Sequence, residues 1–378
     1  MPDEGGNGDA DAPHPALRAV VAVPVRNEAE RIGACLRALE GQTKVDPGGF
    51  GVLLFLNNCT DGTAREIEAV RASTTFPLRV AIRDFAGAHA GWARRMAMDL
   101  AAEWLERANA GHGAILTTDA DSRVPADWIA RNLAALDDGA DAVAGRTALD
   151  PAEAARLPAA LHARGRVEAR YEALLLELAA RLAPDPHDPW PNHWTASGAS
   201  LAVRLAAYRS VGGLPDMALG EDRAFVARLR SRGARVRHDP AIVVVTSGRL
   251  QGRAPGGAAD TIRRRCEEPD SVCDERLEPL GRAAIRILRG RLARRLPPRA
   301  AAAMPLPFKP LRPRQLPAQI GRARLLLALL RRPPRPGRAL ASPTAPFPRA
   351  WRTTWEDGVA TPLANEGAAD PLSAPASL

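Results

Sequence analysis

The sequence predicts an α/β protein built on a mostly parallel twisted sheet flanked by helices, with a helical insertion after residue 150 and a basic C-terminal extension. Three observations lead there. Short apolar, β-rich runs alternate with helix-period segments from residue 18 to about 145, as in a mostly parallel sheet. One of these runs, 51–56, is apolar throughout, as a strand covered on both faces must be. The alternation then gives way to a long helical stretch, and beyond Gly281 the text turns to Arg and Pro.

In chain order, the first strand is expected over 18–25, with Pro24 marking its end. The stretch EAERIGACLRALEGQ puts Ile32, Leu36 and Leu39 on one helical face and stops at Gly41 and Gln42. The strand at 51–56 runs into the turn residues NNCTDGT, and a helix begins at Ala64. A strand over 78–82, a helix over 91–108 and a strand over 114–118 follow, the last stopping at Asp119-Ala120-Asp121. A fifth strand is expected over 141–145. One long helix over 151–182 carries Val167, Tyr171, Leu174, Leu178 and Leu182 at helical spacing. After it come the loop PDPHDPWPNHW, the small-residue stretch TASGASLAV, a helix over 205–211 and the turn GGLPDMALG. Glu221 and Asp222 open a helix to residue 232, and 242–246 is a last strand. In the basic segment, Ile285, Leu288, Leu292 and Leu296 share one helical face, and 320–330 forms another helix. The expected organisation is a disordered leader (1–16), a first α/β half (17–150), a second half of the same domain (151–280), a basic helical extension (281–332) and a disordered tail (333–378).

Composition narrows the function. The chain has 378 residues, 46% hydrophobic and 25% charged, which is globular and excludes wholesale disorder. The longest apolar candidate, 325–330, is far short of the ~18 residues of a membrane span, and the acidic N-terminus lacks the features of a secretory signal; the reading is cytoplasmic. Cys35, Cys59, Cys266 and Cys273 form no C-x-x-C pair, so neither a zinc knuckle nor a disulfide framework is indicated. Net charge is +9, but 18 Arg or Lys and no Asp or Glu lie between Gly281 and Arg352, leaving 34 basic against 43 acidic residues elsewhere. The basicity belongs to one segment. Three readings stay open for it: a solvated tail, a patch that holds the protein peripherally on an anionic membrane, or a polyanion-binding arm. Nucleic acid ranks last, because no recognised motif or aromatic interleaving accompanies the arginines.

Asp119 and Asp121 stand one residue apart just after a buried strand, and ligands of open α/β sheets sit outside the carboxyl ends of strands. Two hard oxygen ligands there suit Mg²⁺ or Mn²⁺, which take few protein carboxylates and complete their shells with substrate phosphates; capping of the turn is the structural alternative. Three further stretches fall at consistent places: PVRNE (24–28), NNCTDGT (57–63) and GED (220–222). With TDADSRVPADW they resemble glycosyltransferase family 2, whose members have the GT-A fold, over residues 17–248.

The resemblance implies a metal-dependent, inverting transfer of a sugar from a nucleotide-diphosphate donor to an acceptor that is a lipid, a glycan or a small molecule. It places Pro24, Arg26, Asn27 and Glu28 in the nucleoside pocket. Asn57 and Asn58 replace the family's acidic base contact, leaving that role to an amide or to Asp61. Arg94 or Arg95 would approach the diphosphate, Asp119 the ribose or the metal, and Asp121 the metal. Asp222 becomes the candidate base, with Glu221 orienting it, their alternative being helix capping. Trp190 and Trp194 could stack on an acceptor sugar, with His187 and His193 beside them, and Ser247 and Arg249 follow the last strand where a basic residue can meet phosphates. Retention of configuration, nucleotidyl transfer on the same fold, or non-catalytic nucleotide-sugar or polyanion binding remain alternatives.

Overall fold

The computed structural model describes residues 17–293 and 308–330. The expected leader (1–16), the tail (333–378) and Leu296 lie outside these residues. The chain begins with β1 (Ala19–Val25), α1 (Ile32–Glu40), β2 (Phe50–Leu56), α2 (Thr63–Arg71), β3 (Leu78–Ile82), α3 (Ala90–Arg107) and β4 (Ala114–Thr117). It continues through α4 (Trp128–Asp137), β5 (Ala142–Leu149), α5 (Pro151–Ala154) and α6 (Ala159–Leu182). The remainder is β6 (Leu201–Arg204), α7 (Leu205–Ser210), α8 (Glu221–Ser231), β7 (Val236–Thr246), α9 (Ala258–Glu267), α10 (Leu280–Ala293) and α11 (Leu316–Leu329).

The strands form one seven-stranded sheet in the order β3-β2-β1-β4-β6-β5-β7. β1 pairs in parallel with β2 and β4, and β2 with β3; β6 runs antiparallel between β4 and β5, and β7 is parallel to β5. Six strands therefore point one way, and the ends of β1, β2, β4 and β7 emerge on the same edge. The pleat of β1 explains why both faces are covered. Val21, Val23 and Val25 point into a cluster with Ile32, Leu36, Leu39 and Trp128, whereas Val20 and Ala22 point into one with Met98, Leu105, Tyr208 and Phe225. Side chains alternate faces along a strand, so a chain of valines with no polar face must be sandwiched.

Several expectations need correction. The helix expected over 151–182 is two: α5 ends before Pro158, whose ring lacks the N–H a continuing helix needs, and α6 starts after it. TASGASLAV contains a strand, β6, whose four residues are too short to announce themselves. β5 and β7 are longer than expected, and their register shifts between Ala144 and Arg146, opposite the Asp239-Pro240 step. α4 and α9 were not anticipated; Trp128, Ile129, Leu133 and Leu136 bury one face of α4, while α9 buries only Ala259 and carries almost no apolar signal.

The basic extension packs where the insertion does. Tyr171, Leu175 and Leu178 of α6 share a buried cluster with Ala283 and Ile287 of α10 and Leu316, Ile320 and Leu327 of α11. The expected face of α10 is not the one it buries: Ile285, Leu288 and Leu292 are exposed. Among the described residues no helix is long and apolar enough to cross a membrane, and all four cysteines are free.

Candidate active site

The edge where β1, β2, β4 and β7 end opens into a cleft of about 500 Å³. β4 stops at Thr117 because the following Asp119–Ser122 turn closes on itself, Ser122 N–H donating to the Asp119 carbonyl at 3.0 Å. The end of β7 fastens that turn: Ser122 Oγ lies 3.0 Å from Thr246 Oγ1, and Arg123 exchanges backbone hydrogen bonds with Val245. Asp119 and Asp121 are thereby presented at the mouth of the cleft, where Pro24, Arg26, Glu28 and Asn57 also lie.

Opposite the turn, Gly220 adopts φ 74° and launches α8, so that Glu221 and Asp222 occupy its first turn. A left-handed backbone at this point suits glycine, which has no Cβ to clash. Asp222 Oδ2 accepts from the Gly198 N–H at 3.1 Å and Oδ1 from the Arg223 N–H at 2.6 Å, which fixes the carboxylate at the positive end of the helix.

Arg94, only 6% exposed, ties the two sides together. Its guanidinium donates to Asp119 Oδ1 at 2.5 Å, Thr117 Oγ1 at 3.0 Å, the Gly198 carbonyl at 2.9 Å and Glu221 Oε1 at 3.4 Å. Burial works against its charge, but Asp119 and Glu221 outweigh it and hold its pKa above the usual value. Glu221 is shifted the other way for an acid: burial raises its pKa despite Arg94. A second arginine closes the cleft from β7's side. Arg249 pairs with both oxygens of Glu28 at 2.9 and 2.6 Å and reaches Asp121 Oδ2 at 3.0 Å.

Asp121 is under electrostatic pressure. Burial, then the neighbouring Asp119 charge, push its pKa up to about 6, with Arg249 pulling against them. Two carboxylates that repel one another in a part-open cleft are what a divalent cation relieves, and Asp119 and Asp121 fit an ion that takes two protein oxygens and leaves the rest of its shell to phosphate and water. Among the described residues no cluster of three or more His, Cys, Asp or Glu could hold a metal ion by itself. Beneath the turn, Cys35 is held as a thiol, its pKa pushed up to about 12 by burial and then by Asp121 and Asp119.

The expected residues divide into three groups. Pro24, Arg26, Glu28, Asn57, Arg94, Asp119, Asp121, Glu221 and Asp222 line one cleft. Asn27, Asn58 and Asp61 lie on the adjoining turn and brace it. Asn27 Oδ1 accepts from the Thr60 N–H, Asn58 exchanges two side-chain hydrogen bonds with the Phe85 backbone, and Asp61 accepts from the Thr63 N–H at the start of α2 and from the Ala29 N–H before α1. Asn57 donates to the Arg83 carbonyl at 2.8 Å from within the cleft wall. Of the arginine pair, Arg94 enters the cleft while Arg95 turns to the Leu214 carbonyl.

Trp190, His193 and Trp194 do not line the cleft. Their loop is stapled to β7: Asp188 accepts from the His238 N–H at 2.9 Å, its other oxygen meets His238 Nδ1 at 2.8 Å, and Arg237 donates to Asp188 and to the Pro189 and Pro191 carbonyls. Trp190 and His193 consequently border a separate cavity, and Trp194 packs against the α6, α10 and α11 cluster. What the sequence did not disclose is the part played by Thr117, which read only as a strand residue but accepts from Arg94, by Ser197 and Gly198, whose stretch read only as small residues, and by the 252–261 segment that completes the cleft wall.

Residues 20–186 match the family model for glycosyl transferase family 2. This stretch of the chain is similar to glycosyl transferase family 2. Among solved structures, one of TarS from S. aureus matches with 18% identity and a TM-score of 0.44 over 61% of this chain; the chain spans 37% of that structure's length. The TarS 1–349 fragment in complex with UDP-GlcNAc matches over 74% of this chain and 72% of its own, at 18% identity and a TM-score of 0.46. The mannosyltransferase PcManGT from Pyrobaculum calidifontis, in complex with GDP-Man and Mn2+, matches over 84% and 86%, at 19% identity and a TM-score of 0.45. No curated protein sequence matches the chain. The Asp119–Asp121 turn lies within the matched residues, and the paired acids of α8, which lie beyond them, face the same cleft.

Proposed function

We propose that the chain transfers a sugar from a nucleotide-diphosphate donor to an acceptor hydroxyl with inversion at the anomeric carbon, using a divalent cation. The observation that carries this reading is the convergence of Asp119, Asp121, Arg94, Glu221 and Asp222 on one cleft at the carboxyl ends of β1, β2 and β4. Ligands of open α/β sheets bind at that edge.

The nucleoside lies along Pro24, Arg26, Glu28 and Asn57. With its amide N–H engaged by Arg83, Asn57 offers its carbonyl oxygen to a base N–H. Asp121, with Asp119, holds Mn²⁺ or Mg²⁺, which when bound stabilises the charge that develops on the departing diphosphate, a contribution of several kcal/mol. Arg249 lies close enough to Asp121 to supply a further positive charge at the diphosphate, where a guanidinium fork suits phosphate oxygens.

Asp222 takes the proton from the acceptor hydroxyl while that oxygen attacks the anomeric carbon. The bond to the diphosphate breaks on the opposite face and its electron pair leaves with the phosphate oxygen. Gly198 and Arg223 N–H groups hold the carboxylate in one orientation, and positioning of this kind with general-base help contributes about 10²–10⁴ in rate. Glu221 and Arg94 brace Asp222's helix against the Asp119 turn.

The test is thermal unfolding of the purified chain with UDP, GDP, ADP, CDP and dTDP, each with and without Mn²⁺. A ligand at about 100 times its Kd adds roughly 2.7 kcal/mol, so one nucleotide should raise the melting temperature only with the cation, and Asp121→Asn should abolish the shift. A folded chain that responds to none of the five overturns the donor reading. Anomeric configuration of the product, read by proton NMR, separates inversion from retention.

A further inference from the structure

A second cavity, of about 950 Å³, shares no lining residue with the cleft. It lies between α6 and α11, with the Trp190–His193 loop and Pro240 of β7 closing the rest. Its walls are mainly apolar, with Val167 and Leu174 of α6 and Pro317 and Ile320 of α11, although Arg146, Glu172 and Asn192 also line it. Its size is within the range of small-molecule sites. The borders are unlike the walls. Arg166 and Arg170, one turn apart on α6, and Arg324 on α11 are exposed at the cavity. None of the three forms an ion pair with a described residue, although most of the described arginines do. Two carboxylates, Glu172 and Glu177, line the cavity with four arginines, Arg146 and these three, so the lining carries a net positive charge.

Two further features mark the edge of the cavity. His193 is 3% exposed, yet its Nε2 makes no hydrogen bond of normal geometry, and the neighbouring Asn192 Oδ1 is likewise buried without a partner. Buried polar atoms are rarely left unsatisfied, and both residues line the cavity. The Thr195 N–H donates to His193 Nδ1 at 3.0 Å, so in the neutral ring the proton sits on Nε2. α11 also continues its apolar character outward, with Leu325 and Leu329 exposed just beyond Arg324.

We propose that this cavity binds an anionic amphiphile, an acyl or isoprenoid chain ending in a phosphate or carboxylate. The chain lies against Val167, Leu174 and Ile320, and the anionic head meets Arg166, Arg170 and Arg324. Apolar walls with a separate cationic rim match a molecule divided in the same way, whereas a nucleotide or free sugar would need polar groups throughout. Guanidinium groups suit phosphate and carboxylate alike. The proposal does not depend on sugar transfer in the cleft.

Trp190 at the cavity provides the measurement. The full chain is titrated with 12-bromododecanoic acid below its micellar concentration, the bromine quenching nearby tryptophan. Saturable quenching is expected, reversed by unbrominated dodecanoate and lost in Trp190→Phe. The triple variant Arg166→Ala, Arg170→Ala, Arg324→Ala, altered only at exposed positions, should bind at least tenfold more weakly. Dodecyl phosphate should compete, and each methylene added to the alkyl phosphate should tighten binding about fourfold (~0.8 kcal/mol). Quenching that does not saturate, that survives Trp190→Phe, or that is unchanged in the triple variant overturns the proposal. So does inorganic phosphate competing as well as dodecyl phosphate, which would leave an anion site without a chain. Co-sedimentation with phosphatidylglycerol vesicles but not phosphatidylcholine vesicles, lost in the triple variant, would support a bilayer source; monomer binding without co-sedimentation would support a soluble one.

Discussion

Arg94 and Asp119 are joined at 2.5 Å across the floor of the cleft, and the same guanidinium reaches Glu221 at 3.4 Å. One buried cation thus connects the turn after β4 to the first residue of α8, two segments about a hundred residues apart. Removing it leaves two carboxylates facing each other with little water. Arg94→Ala should destabilise the fold by about 3–5 kcal/mol, the usual cost of an uncompensated buried charge. Arg94→Lys should lose less stability, because a single ammonium retains the charge without the fork. Urea unfolding of the three proteins measures both.

Gly198 controls where that guanidinium can sit. A Cβ at this position would lie 2.3 Å from Arg94 Cζ and 2.4 Å from its Nε. Gly198→Ala should therefore displace Arg94 and cost about 1–3 kcal/mol, as overpacking does. Turnover should fall too, since the Gly198 N–H also orients Asp222. If the alanine variant keeps wild-type stability and rate, the arginine is not held as described.

Asp222→Asn should lower kcat by about 10²–10⁴, read as release of nucleoside diphosphate. Nucleotide-induced stabilisation should be unchanged, because Asp222 is assigned to the acceptor proton and not to the donor. Loss of donor binding in this variant would reassign the residue.

Glu172 gives a pH dependence that does not involve the cleft. Burial raises its pKa to about 7 against the opposing pull of Arg146. A carboxyl with a raised folded-state pKa binds more protons folded than unfolded, so its contribution is fully present below pH 4.5 and is lost as pH rises through 7. Glu172→Gln should leave stability unchanged at pH 4.5 and raise it by roughly 1–2 kcal/mol at pH 8.5, allowing for solvent in the cavity. Melting temperatures of both proteins across that interval decide the matter.

The site was legible where its residues end buried strands. The apolar run of β2, the valines of β1 and the Asp119–Asp121 pair after β4 all announce their positions, because a strand covered on both faces has no polar residues until it reaches the edge. Asn27, Asn58 and Asp61 sit in the same kind of turn sequence as Asn57, and nothing in the spacing says which side chain enters the cleft and which braces the backbone. Arg94 and Arg95 are adjacent on a helix and differ by 100° of rotation; only the packing of α3 decides which one is buried.

By itself the sequence determined the alternation of strands and helices, the carboxylates that close β4 and open α8, and the confinement of excess positive charge to one segment. These follow from local periodicity, from turn chemistry and from counting. The tertiary structure alone decided that β6 runs against its neighbours, that Arg94 bridges Asp119 and Glu221, and that the Trp190 loop borders the α6–α11 cavity instead of the cleft. Each of these depends on contacts between residues far apart in the chain, where burial, and not neighbouring residues, selects the partner.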